Sequence, residues 1–119
     1  MRALAVRYWQ AVWNDRDLNA VDELIADPYV RHSGTGDRVL SREELKREYA
    51  QSWELLHGAR TIVEDQAISG DRIWTRATVR GINLQTGEPS ILSWLIVHRV
   101  EDGRFAESWS ATVPGVAWS

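Results

Sequence analysis

A chain of 119 residues fits one domain and is long enough for a core of its own, since domains most often run about 100–150 residues. Hydrophobic residues at 44% and charged residues at 26%, with a formal net charge of −3, are ordinary for a globular protein and give no reason to expect a nucleic-acid or membrane partner. The absence of cysteine excludes disulfides, thiolate catalysis and Cys-ligated zinc. Seven tryptophans are several times the usual share. Tryptophan suits partly polar interiors, pockets and interfaces, because its ring buries a large area while its indole N–H wants a partner.

The first residues, Met1 to Asp17, lack a clean apolar run and turn polar at Asn14, so they read as a helix of the fold and not as a signal peptide. No segment approaches the roughly 18 apolar residues of a membrane span, and the expected address is the cytoplasm. Ala3 to Trp13 predicts an amphipathic helix with Ala5, Trp9, Val12 and Trp13 on one face. Leu18 to Ala26 predicts a second, stopped by Pro28. Tyr29 to His32 is expected to be a short extended segment, and Ser33 to Asp37 a loop. Ser41-Arg42-Glu43-Glu44 is a capping box opening a helix that is expected to reach His57. Leu45, Tyr49, Trp53 and Leu56 form its buried stripe and Gly58 its stop.

Beyond Gly58 the period changes to that of strands. Thr61–Ile68, Arg72–Leu84, Ile91–Val100 and Arg104–Val113 predict a four-stranded antiparallel meander. Its turns fall at Ser69-Gly70-Asp71, Gln85–Pro89 and Glu101-Asp102-Gly103. Three helices followed by this meander, with the His32 segment as a short extra strand, predict an α+β domain over residues 1–119 with the helices on one face of a curved sheet. A cavity is expected where the helices fail to fill the curve.

In order and spacing these pieces resemble SnoaL-like, NTF2-like proteins. The resemblance rests on Trp13-Asn14, Asp17-Leu18, Leu24 to Asp27, Val30-Arg31-His32, Ser41-Arg42-Glu43, Ser69 to Ile73, Arg76, and Arg99 through Trp109. It covers nearly the whole chain and implies a cone-shaped cavity lined by one face of each strand, with homodimers common. The fold hosts isomerases, cyclases, dehydratases, epoxide hydrolases and non-enzymatic modules. The chain departs from the patterns of several of them. The tyrosine and aspartate of the ketosteroid isomerases are missing near Trp9 and near His32–Ser33. Arg76 matches an epoxide-hydrolase arginine, but Thr78 and Ala111 stand where that group has aspartates. Thr112-Val113 occupies the place of a cyclase aspartate.

His32, at a point where SnoaL-like proteins often carry histidine, is either a proton shuttle or a residue closing the rim. Alternation on the third long strand groups Leu92, Trp94, Ile96 and His98, and the resemblance puts that set inside the cavity. His98 there is either an acid partner for His32 or a strand end in solvent. Arg76 shares a face with Trp74, Thr78 and Arg80. It is expected either to brace the sheet in an ion pair with Glu107 or to stabilise an enolate or carboxylate of a ligand. His57 reads as a cation at a helix C-terminus, and only one of Glu64 and Asp65 is expected to enter the cavity. Trp9, Trp13, Trp53, Trp74, Trp94 and Trp109, with Thr78, form the expected binding surface, some of the rings alternatively serving a dimer interface. Trp118 is either a lid or a partner contact. No metal-ligand spacing joins the three histidines, and no cofactor is expected. The expected function is cofactor-free lyase, isomerase or cyclase chemistry on a small hydrophobic molecule, by general acid–base catalysis. The alternative is a module that binds a small molecule or protein without turnover.

Overall fold

Helices and a short strand pair up to Trp53, followed by a two-residue period, divide the molecule into a helical layer and a long sheet. The computed structural model describes residues 1–34 and 36–118. The first helix, α1 (Arg2–Tyr8), continues as a π-helical segment, Trp9–Asn14, in which the Asp15 N–H donates to the Gln10 carbonyl at 2.8 Å. Ala5, Tyr8, Trp9 and Val12 are buried.

Helix α2 (Leu18–Leu24) is capped by the Asp17 carboxylate, which accepts from the Asn19 N–H, and it ends before the expected Ala26. Ile25 and Ala26 already belong to strand β1 (Ile25–Ser33), and Pro28 lies within that strand after a cis Asp27–Pro28 peptide. Ile25 pairs with Phe105 in the sheet, and both side chains are fully buried, so the sheet claims residues that a helix had been expected to use.

Part of the expected loop after His32 is a strand. β2 (Gly36–Leu40) forms a hairpin with β1, with Ser33 opposite Gly36 and Tyr29 opposite the buried Leu40. Thr35 lies outside the described residues. The capping box is present: Ser41 Oγ accepts from the Glu44 N–H at 3.1 Å, and the Glu44 carboxylate accepts from the Ser41 N–H at 3.0 Å. The helix that it opens, α3 (Arg42–Trp53), stops short of His57. Leu56 and His57 open β3 (Leu56–Ser69), where His57 pairs with Ile82. Gly58, at φ +62°, sits where the β3 register shifts between His57 and Arg60, so it is a strand-bulge glycine and not a helix stop. His57 therefore caps no helix.

Strands β4 (Arg72–Asn83), β5 (Pro89–Glu101) and β6 (Arg104–Pro114) complete the sheet. Its order is β2-β1-β6-β5-β4-β3. The meander from β3 to β6 is antiparallel, as expected. β1 then runs parallel to β6 and carries β2 on its far side, which makes six mixed strands.

Cross-strand pairs fix which face packs under the helices. Ile73 lies opposite His98, Thr75 opposite Ile96, and Ala77 opposite Trp94, and all six are buried. Trp74, Arg76, Thr78 and Arg80 consequently face outward, because successive side chains alternate. The C-terminal tail returns over this outer face. Gly115 N–H donates to the Ile91 carbonyl, Ser93 Oγ to the Val116 carbonyl, and Trp118 Nε1 to the Ala77 carbonyl at 2.7 Å.

Candidate functional site

The strands run between a closed end and an open end. At the closed end the buried rings of Tyr8, Phe105 and His98 pack together. At the open end the ends of the π-helical segment and of α3 stand off from the sheet. They leave a cavity of about 950 Å³, large enough for a drug-sized molecule.

Its walls are hydrocarbon and aromatic. Trp13, Trp53, Leu56, Ala59, Val79, Leu92 and Trp94 line it. The Trp13 and Trp94 rings meet edge to face with centroids 4.8 Å apart, and Trp9 supports Trp94 from below at 5.1 Å. Trp13 is further held by its Nε1–H, which donates to the Tyr8 hydroxyl at 2.9 Å; that oxygen lies 3.3 Å from the Tyr49 hydroxyl. Burial raises the pKa of both tyrosines above 10.0, so they stay neutral. Asn14 ties the end of the π-helical segment to β3: its amide donates to the Thr61 carbonyl at 3.0 Å and accepts from the Thr61 N–H at 2.8 Å.

Polar groups enter at defined places. β1 supplies Arg31 and Ser33, β6 supplies Ser110 and Thr112, and β3 supplies Thr61. Among the described lining residues the charged ones are Arg31 and Glu54. Glu54 is exposed at the end of α3, at the mouth. Arg31 is only 20% exposed; its Nη1 lies 2.9 Å from Glu48, whose other oxygen is held by Arg38.

The three candidate catalytic residues are not brought together. His98 is on the inner face as expected, but at the closed end and fully buried. From Trp94 it is four residues away along β5, about 13 Å at strand rise. Its ring stacks on Phe105 at 4.1 Å, and neither nitrogen has a hydrogen-bond partner among the described residues. Burial, with a smaller push from Arg31, lowers its pKa to about 3, so it is a neutral core side chain.

His32 lies on the outer face. Its neighbour Arg31 takes the inward position because β1 pairs Arg31 with Ser108 and His32 with Trp109. Asp37 lies 2.7 Å from His32 Nδ1 and Glu107 lies 2.6 Å from Nε2. The hydrogen bond to Asp37, then that to Glu107, raises the His32 pKa above 6.5. Both bonds tie β1 to its neighbouring strands and set the imidazole away from the cavity.

Arg76 is likewise outside, 4.0 Å from Asp65 and over the Trp118 ring at 5.5 Å. Its expected partner Glu107 is engaged by Arg99 and His32. Neither Glu64 nor Asp65 enters the cavity. The register shift between Val63 and Asp65 turns both outward, Glu64 to accept from Thr78 Oγ1 at 2.9 Å and Asp65 toward Arg76.

Of the expected binding surface, Trp13, Trp53 and Trp94 line the cavity. Trp9 is core beneath them. Trp74, Thr78 and Trp109 face outward, where Trp109 stacks on His32. Trp118 packs on the outer face of its own sheet and covers no mouth.

Arg31 was missed by the sequence reading. The available signal was alternation: Tyr29, Arg31 and Ser33 share one face of β1, and Tyr29 is large and apolar enough to mark that face as internal.

Helices seated on one face of a curved mixed sheet, with a single-ended apolar cavity between them, define an NTF2-like cone. Residues 6–108 match the model of the SnoaL-like domain, and the chain belongs to that family. Among solved structures it is similar to wild-type IdmH from Streptomyces antibioticus, a candidate polyketide cyclase. That likeness has a TM-score of 0.81 and 25% identity over 93% of this chain and 90% of the other. A candidate polyketide cyclase from Acidithiobacillus ferrooxidans superposes with a TM-score of 0.86 at 16% identity, covering 93% and 86% of the two chains. The chain is also 40% identical over 91 residues, 71% of its length, to a formate-dependent phosphoribosylglycinamide formyltransferase of Corynebacterium efficiens. It spans only 22% of that enzyme.

Proposed function

We propose that the chain binds a flat, hydrophobic small molecule in the aromatic cavity and promotes its isomerisation or cyclisation without a cofactor. The cavity itself carries this reading: about 950 Å³ walled by Trp13, Trp53 and Trp94, which suits a polyketide-, terpenoid- or steroid-like ligand by stacking and apolar contact. The likeness to IdmH, a candidate polyketide cyclase, supports the same class. The rate enhancement would come from holding the substrate in a reactive conformation and from the Arg31 cation beside the substrate oxygen on which negative charge develops as a proton passes to water. The hydroxyls of Thr61, Ser110 and Thr112 would orient the substrate's polar groups.

A non-catalytic binding module is the second reading. One observation favours it: among the described residues lining the cavity there is no histidine, and the carboxylate among them, Glu54, is at the mouth. We also propose self-association through the outer sheet face, where Trp74, Leu95, Val113 and Val116 are each 45–53% exposed; light scattering after gel filtration reads it directly.

The test is quenching of tryptophan fluorescence by a panel of polycyclic, terpenoid and aromatic polyketide compounds, with mass spectrometry of each mixture after incubation. Saturable quenching that Leu92→Trp abolishes, together with a new product, supports the enzyme. Quenching without product for every binder favours the module. Quenching unaltered by Leu92→Trp would place binding outside the cavity and sink both readings.

A further inference from the structure

Polar side chains such as Thr61, Asn83 and Ser90 occur on several walls of the cavity, but among the described lining residues its guanidinium, Arg31, comes from the β1–β6 side. The parallel pairing of β1 with β6 gathers Arg31, Ser33, Ser110 and Thr112 on one side, while Trp53 and Leu92 belong to the other elements of the lining. Glu48 is shared between Arg31 and Arg38, so two guanidiniums face one carboxylate and the cluster keeps one unit of positive charge. Arg38, on β2, is half exposed and meets water; Arg31 is mostly buried.

Among the described residues lining the cavity, the carboxylate is Glu54. Glu107 faces outward and is held by His32 and Arg99; Asp37 faces outward and is held by His32. Glu54 stands in solvent at the mouth. The field of Arg31 reaches deep: after the dominant effect of burial it pulls Tyr8, Tyr29 and Tyr49 downward and pushes His98 down further. A cation in such surroundings is costly unless its charge is met, and a charge-assisted hydrogen bond to an oxyanion is the contact a guanidinium makes best.

We propose that the cavity selects ligands with an anionic oxygen, a carboxylate or an enolate, seated against Arg31, with a flat apolar body lying toward Trp53 and Leu92. This rests on the cavity being the binding site proposed above. Arg31 is then the residue that sets ligand orientation and charge preference.

The experiment compares 1-pyrenebutanoate with its uncharged methyl ester at pH 7.5, by quenching of tryptophan emission. The expected result is a carboxylate affinity about tenfold above that of the ester, the size of one charge-assisted hydrogen bond. That preference should vanish in Arg31→Met and persist in Arg72→Met, which removes a guanidinium from the outer face. Near-ultraviolet circular dichroism checks that Arg31→Met retains its packing. Should it not, the acid–ester comparison in the wild-type protein, which needs no variant, decides alone. Equal affinities for acid and ester would overturn the anion preference and leave the cavity reading standing. A preference that survives in folded Arg31→Met would overturn the role of Arg31. Absence of binding by both probes would overturn the cavity reading beneath them.

Discussion

The imidazole of His32 lies face to face with the indole of Trp109, centroids 5.2 Å apart and planes within 13°, on the side of the sheet opposite the cavity. Arg72 covers the same indole from 4.9 Å. Two aromatic residues that sequence patterns place in a binding pocket are thus joined in a surface stack, which fastens β1 to β6 from outside. Asp37 extends that fastening to β2 through His32 Nδ1.

This geometry predicts the titration of His32. Its folded pKa is raised above 6.5 by the bonds to Asp37 and then Glu107, so the stabilisation is complete below about 6.5 and is lost as pH rises through the folded value. The Cε1–H resonance of His32 should titrate above its value in the urea-unfolded protein, and Glu107→Gln should bring it down. A folded value at or below the unfolded one would contradict the two bonds. His32→Ala and Arg76→Ala should also leave ligand affinity in the cavity within about twofold, since surface substitutions act weakly on distant sites.

His98 predicts the opposite dependence. Its folded pKa, lowered to about 3 by burial, means the unfolded chain takes up a proton that the folded one refuses. Stability should therefore fall as pH drops from about 6.5, by about 1.4 kcal/mol per pH unit from this residue. His98→Leu removes two nitrogens without partners among the described residues, at the loss of the stack on Phe105 and of the edge contacts with Tyr8 and Trp9. Urea unfolding at pH 7 should be unchanged or shifted upward, by about 1 kcal/mol at most, and the acid slope should flatten. Destabilisation beyond about 2 kcal/mol at pH 7 would mean that a nitrogen does have a partner.

Gly81 marks a close crossing at the cavity. A Cβ there would meet Leu56 Cβ at 2.9 Å, the His57 carbonyl at 3.1 Å and Ala59 Cα at 3.2 Å, none of them the free end of a flexible side chain. Gly81→Ala should cost about 1–3 kcal/mol. Ligand affinity should weaken with it, because Leu56 and Ala59 are cavity walls. Equal stability of the two proteins in urea would show that β3 yields freely.

Asn14 makes two hydrogen bonds to the Thr61 backbone, joining the π-helical segment that carries Trp13 to the strand that lines the cavity. Asn14→Ala leaves a part-buried carbonyl and N–H without those partners and should cost about 1–3 kcal/mol. Faster amide exchange at Thr61 is the specific readout; a general loss of stability with Thr61 still protected would assign the cost elsewhere.

Much of this architecture follows from local chemistry that can be read along the chain. The Ser41–Glu44 capping box starts α3 because its partners lie within three residues. The hairpin turns at Gly70 and at Asp102-Gly103 form because those residues accept φ of +61°, +52° and +75°. The change of period after α3 is visible because alternation needs only neighbours. The face of β4 was misjudged although a signal was present: Trp74, Arg76 and Thr78 were expected at the cavity, yet Arg76 and Arg80 share that face, and a face with two arginines belongs in water unless paired.

What the chain did not reveal depends on partners distant in sequence. Ile25 became a strand residue because Phe105, eighty positions later, offered a buried pairing, and β2 exists because Leu40 fills the core opposite Tyr29. His98 reads the same whether it ends in solvent, in a cavity or under aromatic rings; only the packing of Tyr8 and Phe105 decided it. The sequence by itself determined the helices, the meander and the α+β class, because hydrogen bonds and periodicity act over a few residues. Alternation groups Arg31 with Tyr29, but the tertiary structure decided that this face of β1, and not that of His32, meets the cavity, because the choice is set by register against β6, and a shift of one residue exchanges the two faces.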